Sequence, residues 1–321
     1  MEEPLNVCLE KLAKLHTPRN KANWTAATFF QNPGKPLLLL SVIDMAAGGS
    51  IRGNLVEPSF ELAGIYNRYW KTVTSAGAAP DLAAAFMALE DEGFWKMTGL
   101  KETAVRLPID TMGKLHKSYL GATIDPEISP LLTEQHARKT MRETLISTYF
   151  ANKIQSALLD VALINHGAAI YRKELLNDAL APTIKTGRGD AIKRKISSLG
   201  FATAIVDIYD HRCAICGIKL MTPEGHSAVD ATRIIPRQLG GDDHPSNGLA
   251  LCKICGWSFA NGLLGIGEEY EVTIPIAVRL NGNLPGHILI FKGRTIAKPK
   301  QEAFIPSRKN LAWHRQNVLR E

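Results

Sequence analysis

Hydrophobic positions fall into a few long runs separated by turn-forming residues, and the spacing within each run predicts its element. The first, the apolar run LLLLSVIDMAAGG after Lys35-Pro36, closes on a glycine pair and reads as a buried helix. Residues 55–75 place Phe60, Ile65, Tyr66, Tyr69 and Trp70 at mixed spacings of three and four, which predicts an amphipathic helix with these aromatics in the core. PDLAAAFMALEDEGFWKMTG reads as a short extended or helical piece, a turn at Gly93 and a strand carrying Phe94, Trp95 and Met97. From Leu131 to Leu180 apolar residues again recur at helical spacing, with Asn165, His166 and Gly167 as a break.

APTIKTGRGDAIKRK then mixes Pro, Gly and basic residues without periodicity, so a domain boundary is expected near residues 181–198. FATAIVDIYDHRC predicts a helix leading to Cys213, and EYEVTIPIAVRL and HILIFKGRTI alternate as short strands do. The expected fold class is α+β. A mostly helical N-terminal domain with a few short strands, residues 1–185, precedes a smaller mixed domain, residues 186–321.

Composition fits this picture: 321 residues, 45% hydrophobic and 21% charged, suffice for two cores. No apolar run reaches the roughly 18 residues of a membrane span, and the start lacks the layout of a signal peptide, so a cytoplasmic location is expected. The net charge of +7 sits in the C-terminal part, where residues 186–321 carry 18 Lys+Arg against 12 Asp+Glu. Residues 1–185 are nearly balanced, with 20 against 19. A basic region attracts polyanions through counterion release, so nucleic acid is the first partner to consider, a solvated basic surface being the alternative.

Four of the five cysteines form two Cys-x-x-Cys pairs, Cys213/Cys216 and Cys252/Cys255, with 35 residues between them. In a reduced chain this favours a metal over disulfides, and four thiolates suit tetrahedral structural zinc. Cys8 stands apart as an inert thiol.

The text between and after the pairs, VDATRIIPRQLGGDDHPSNGLALCKICGWSFANGLLGI, resembles the HNH-type, ββα-metal family of predicted restriction endonucleases. The matching positions include Ile234, Ile235, Pro236, Gly240, Gly241, Asn247, Gly248, Leu249, Leu251, Cys252, Phe259 and Gly262. Gly293-Arg294 and Leu311–Arg315 are similar to that family's ending. The resemblance implies a zinc-stapled ββα domain over about residues 200–321.

It also implies where the chemistry would sit. The family's general-base histidine, three residues before the Pro, is Arg233 here, and a guanidinium cannot take a proton at a working pH. The second histidine of the family's pair is Gly256, and Ala260 stands where Asp is usual. Asn247 matches. Asp230, Asp242, Asp243, His226 and His244 are the residues nearby in sequence that could replace a ligand or base, or serve as turn residues. Asn247, Arg233 and Asp230 are therefore the candidate catalytic positions, with Mg²⁺ or another divalent ion required only by an active nuclease. Arg233 and Arg237 are candidate DNA contacts, because a planar guanidinium meets phosphate oxygens in pairs.

GKPLLLLSVIDMAAGGSI with AAFMALEDEGFWKM resembles the N-terminal module that precedes HNH domains in this group, some of which are sulfur-binding domains for phosphorothioate DNA. Sulfur in place of a phosphate oxygen is large, soft and poorly hydrated, so its recognition needs an apolar cup beside basic contacts. Members that read sulfur have a His before Lys-Pro and a Tyr-Pro-Phe at the cup. This chain has Gly34 and Ala84-Ala85-Phe86 there, and Lys35 is the candidate phosphate contact. His116, Lys114 and Lys117 form a small basic cluster.

The reading is a DNA-binding protein of a restriction or modification-dependent defence system, with double-stranded DNA, phosphorothioate-modified or plain, as partner. Its HNH domain lacks most of the usual hydrolytic groups. An active HNH endonuclease and a non-catalytic assembly subunit are the alternatives, and a homodimer is one arrangement for either.

Overall fold

The computed structural model describes residues 2–74, 79–100, 109–178, 189–276, 278 and 286–320. Contacts divide the chain into two compact units: Met1–His166 with Thr222–His226, and Gly167–Met221 with Ser227–Glu321. The boundary expected near 181–198 lies partly outside the described residues, and from Asp190 onward that stretch is helical, not aperiodic coil.

The first unit is built on helix α2, Gly34–Gly48, whose residues from Gly34 to Met45 are all buried. Burial on every face is why its sequence shows no polar stripe. Gly49 ends it in the left-handed region at φ 75°, with its N–H on the carbonyls of Ala46 and Met45. Around it lie α1 (Glu2–Ala13), α3 (Phe60–Val73), α4 (Leu82–Ala88) and α6 (Gln135–Tyr149).

Ser59 caps α3, its hydroxyl accepting the Leu62 N–H, and the expected core residues Ile65, Tyr66, Tyr69 and Trp70 are buried. Phe60, the first residue of α3, is the exception at 41% exposure. A three-stranded antiparallel sheet completes the unit: β1 (Leu55–Val56), β3 (Tyr119–Ile124) and β2 (Trp95–Gly99), in that order. Gly93, at φ 79°, makes the predicted turn into β2. His116 and Lys114 belong to α5, Met112–Ser118; His116 Nε2 lies 2.6 Å from the Pro58 carbonyl and Lys114 pairs with Asp110.

The helical text after Leu131 is two helices. The chain breaks at Phe150-Ala151, and α7 runs unbroken from Asn152 to Asp178, through the expected break at Asn165–Gly167. Asn165 is tolerated there because its amide is used: Nδ2 donates to Asp44 Oδ2 at 2.8 Å and Oδ1 accepts from Arg68 Nε at 2.6 Å. Gly167 is required because a Cβ would stand 2.8 Å from Ile196 Cδ1 of α8, Asp190–Ile208.

The second unit holds α8, an antiparallel pair β4 (Val229–Arg233) and β5 (Gly248–Cys252), and α9 (Lys253–Ala260). This is the strand-strand-helix order expected of a ββα unit. A second small pair joins β6 (Gly265–Ile266) to β7 (Val272–Thr273), and a helix at Arg308–Asn317 follows. The strand expected at HILIFKGRTI is instead a short helix, Gly286–Leu289, followed by a turn, and among the described residues Thr295 alone of this stretch makes a bridge, to Glu271. Its apolar residues were spaced for either period, and a run this short does not separate the two. Residues 279–285 lie outside the described residues. Among the described residues no helix is long and apolar enough to cross a membrane.

Candidate functional site

The four predicted cysteine ligands come together, with all four Sγ atoms within 4.8 Å of one another. Each pair is held by backbone geometry. Cys213 opens a tight turn in which its N–H donates to Ile218 O and its carbonyl accepts the Gly217 N–H, both at 2.9 Å, and Gly217 supplies the φ of 74° that the turn needs. Cys252 ends β5 and caps α9, so Cys255 lies one turn into a helix that starts at the site, its N–H 3.5 Å from Cys252 Sγ.

Cys216 Sγ and Cys252 Sγ are 3.7 Å apart. Four sulfurs placed tetrahedrally about 2.3 Å from one zinc would be separated by about 3.8 Å, so the spacing fits such an ion. Without a cation the thiols cannot all ionise. A hydrogen bond from Cys255 pulls Cys213 down to about 5, and the same bond pushes Cys255 up. A dication at the centre removes that conflict, because it favours every thiolate at once.

Beside this centre, β4 and β5 pair from Val229↔Cys252 to Arg233↔Gly248. That register places Arg233 at the strand end, opposite Gly248, where an added Cβ would meet Ile205 at 2.3 Å. Arg233 is held by a carboxylate and by a ring. Its Nε and Nη2 donate to Asp243 Oδ1 at 2.9 and 2.7 Å, and its guanidinium carbon lies 4.0 Å from the centre of the Phe201 ring.

Arg237 reaches the same carboxylate through Nε at 3.0 Å and through Nη2, and Tyr171 Oη donates to Asp243 Oδ2 at 2.7 Å. Burial alone would raise the Asp243 carboxyl, but the bonds from Arg237 and Tyr171 and the charge of Arg233 hold it below the usual range. Asp243, a turn residue by sequence, is thus the buried hub of the two candidate phosphate-binding arginines. Only its acidity hinted at this.

Asn247 is 1% exposed and serves the backbone. Oδ1 accepts from the Ile235 N–H at 2.9 Å and from Asn310 Nδ2 at 3.1 Å, while Nδ2 donates to the carbonyls of Ile235 and Asp242. It joins the loop after β4 to the loop before β5. Asp230 lies exposed on β4 and pairs with Lys253. His244 Nδ1 accepts the Ser246 N–H, and His226 groups by its contacts with the first unit. His314 is buried, stacked on Phe259 with ring centres 3.6 Å apart, and bonded through Nε2 to the Phe259 carbonyl. Gly256 on α9 has open space enough for a side chain, since an added Cβ would make only ordinary contacts with Leu251 and Thr232.

In the first unit, residues some 50 positions apart meet at one cavity of about 590 Å³, among them Gly34, Lys35, Tyr66, Trp70, Ala84 and Ala85. Lys35, the predicted phosphate contact, is 7% exposed and pairs with Glu92. The alanines arrive there because Asp81 caps α4, Oδ1 accepting the Ala84 N–H at 2.9 Å.

Two families match the chain. The ScoMcrA-like, DNA sulfur-binding domain family covers residues 8–165, and the HNH endonuclease family covers residues 213–267. No curated protein matches. Among solved structures, a modification dependent TagI restriction endonuclease matches at 23% identity over 42% of this chain, with a TM-score of 0.30. The chain spans 44% of that protein's length. The chain thus joins a ScoMcrA-like DNA sulfur-binding domain to an HNH endonuclease domain that carries a four-cysteine cluster.

Proposed function

We propose that the chain is a DNA-binding protein of a modification-dependent defence system, whose HNH domain keeps a zinc-stapled scaffold and does not hydrolyse DNA. The observation that carries this reading is Arg233. It occupies the position where the HNH resemblance expects the general base, a guanidinium offers donors and no acceptor for a proton, and both Asp243 and Phe201 hold it in place. Gly256 and Ala260 add no ligand for a catalytic ion. Asn247, the one matching catalytic position, has all its polar groups in loop-to-loop bonds.

DNA as the partner is supported by the two family matches and by the excess of basic residues after 186. Zinc is the ion assigned to the cysteines, on thiolate chemistry and the 3.7 Å sulfur spacing. The sulfur-binding match makes phosphorothioate the modification to include in any binding test.

The test uses the full chain with supercoiled plasmid and Mg²⁺, Mn²⁺ or Ni²⁺, beside filter retention of plain and phosphorothioate duplexes over a salt series. Retention that falls with salt, without nicking, is expected. Metal-dependent nicking that disappears in Asn247→Ala would overturn the loss of hydrolysis. Failure to retain any duplex at low salt would overturn DNA binding.

A further inference from the structure

The positive charge of the chain has a narrower seat than the second unit as a whole. Residues 186–285 balance, with ten Lys+Arg against ten Asp+Glu, whereas residues 286–320 carry eight against one. The segment matched to the HNH family, 213–267, is itself neutral at four against four. Residues 286–320 lie beyond both family matches.

Pairing sharpens the contrast. Every Lys and Arg of the matched segment has a carboxylate: Lys219 has Asp210, Arg233 and Arg237 share Asp243, and Lys253 has Asp230. In residues 286–320, Arg308 and Arg315 reach the exposed glutamates Glu269 and Glu268. Lys292, Arg294, Lys298, Lys300 and Lys309 are exposed, and among the described residues none of these five pairs with a carboxylate. A paired cation must give up its carboxylate before it meets a phosphate, whereas an unpaired one neutralises the phosphate outright and releases its condensed counterion.

Tyr270 gathers part of this charge. Its φ of 64° lies in the left-handed region, a costly conformation for a bulky side chain. Three bonds hold it there: its N–H donates to the Gly267 carbonyl at 3.3 Å, its carbonyl accepts the Ile296 N–H at 2.9 Å, and Oη donates to the Pro306 carbonyl at 3.2 Å. Lys298 Nζ lies 3.9 Å from the ring centre, and the Arg308 guanidinium carbon 5.6 Å. A ring face attracts a cation without neutralising it, so both keep their charge for a partner. The Arg308 pair with Glu269, at 3.5 Å with the side chains 61% and 81% exposed, is of a kind worth little. Pro299 is buried between exposed Lys298 and Lys300, which turns both lysines outward.

We infer that residues 286–320 form the surface through which the second unit holds the phosphate backbone of duplex DNA, with Lys298 and Arg308 fixed over Tyr270, and that the neutral HNH core adds little to this attraction. This deepens the DNA-binding reading and rests on it, since that reading supplies the class of partner. A polyanion whose charges repeat suits several separate cations at once, and contacts of this kind position the protein without reading sequence.

The test compares the full chain with a variant carrying Lys298→Gln, Lys300→Gln and Lys309→Gln, all at exposed positions. Filter retention of a plain duplex is measured between about 50 and 200 mM salt. Each lost phosphate contact lowers the slope of log affinity against log salt by about 0.9, so the triple variant is expected to lose about 2.7. Lys253→Gln, which removes an exposed but paired cation of the HNH core, is the control and should leave the slope within about 0.3.

Equal slopes for the intact chain and the triple variant, or a larger loss in Lys253→Gln, overturn the assignment and leave DNA binding standing. If the intact chain retains no duplex at the lowest salt, the DNA-binding reading itself falls, and this surface loses its partner with it. Cosedimentation of the intact chain with phosphatidylserine–phosphatidylcholine vesicles that exceeds duplex retention, and is lost in the triple variant, would overturn DNA in favour of an anionic membrane.

Discussion

Replacing Asp243 by alanine removes the acceptor shared by Arg233, Arg237 and Tyr171, and leaves two guanidiniums facing each other without a counter-charge. The carboxylate is 4% exposed, whereas the arginine side chains are 20% and 31% exposed and can recover some hydration. Breaking a buried ion pair costs about 3–5 kcal/mol, and the accessible arginines put this one near 3 kcal/mol. Because Asn247 and Gly241 brace the same loop, the loss should reach β5. Amide exchange of Leu249–Leu251, followed by mass spectrometry, should then accelerate about a hundredfold, at 1.36 kcal/mol per decade. Asp242→Ala, one residue away and exposed, is the control and should change exchange by about threefold or less.

The pH dependence has a defined sign. The folded Asp243 carboxyl lies below its unfolded value of about 3.9, so its stabilisation is complete above about pH 5. It is lost as the pH falls through 3.9 toward the folded value, and the alanine variant should lack that acid limb. Acceleration of less than about fivefold would refute the hub, showing that the arginines are satisfied by water and that Asp243 is a turn residue.

Metal analysis of the purified chain should give about one zinc, lost in Cys252→Ser, and chelation should remove amide protection in β5 and α9. Two zincs, or protection that survives metal removal, would contradict a single structural site. Gly241→Ala places a Cβ 1.8 Å from the Ile235 carbonyl oxygen, a clash with backbone that no rotamer relieves. Its cost in urea denaturation should exceed that of Gly240→Ala, where nothing lies within 4 Å and only the φ of 87° opposes a side chain, at about 1–2 kcal/mol. The reverse order would place the tight approach elsewhere.

Much of the architecture was legible in the sequence because it depends on neighbours in the chain. A long, largely apolar run closed by two glycines reads as a buried helix, and α2 is one. Paired cysteines two residues apart announce a metal knuckle because the turn between them is local. The four thiols cluster as that spacing requires.

Tertiary structure decided the features whose partners lie far off. Asn165 looked like a break because its amide has no local use; Asp44, 121 positions earlier, accepts its N–H and keeps α7 helical. Gly167 looked like a turn, and is a place where α8 comes close. Asp243 read as loop chemistry until three side chains from separate segments converged on it. Gly34, Ala84 and Ala85 showed only that side chains were missing, and the fold brought them together at a cavity that Tyr66 also lines. Sequence pattern fixes period and local turns because these are short-range. Charge pairing, close approach and empty space depend on which distant atoms the chain brings together.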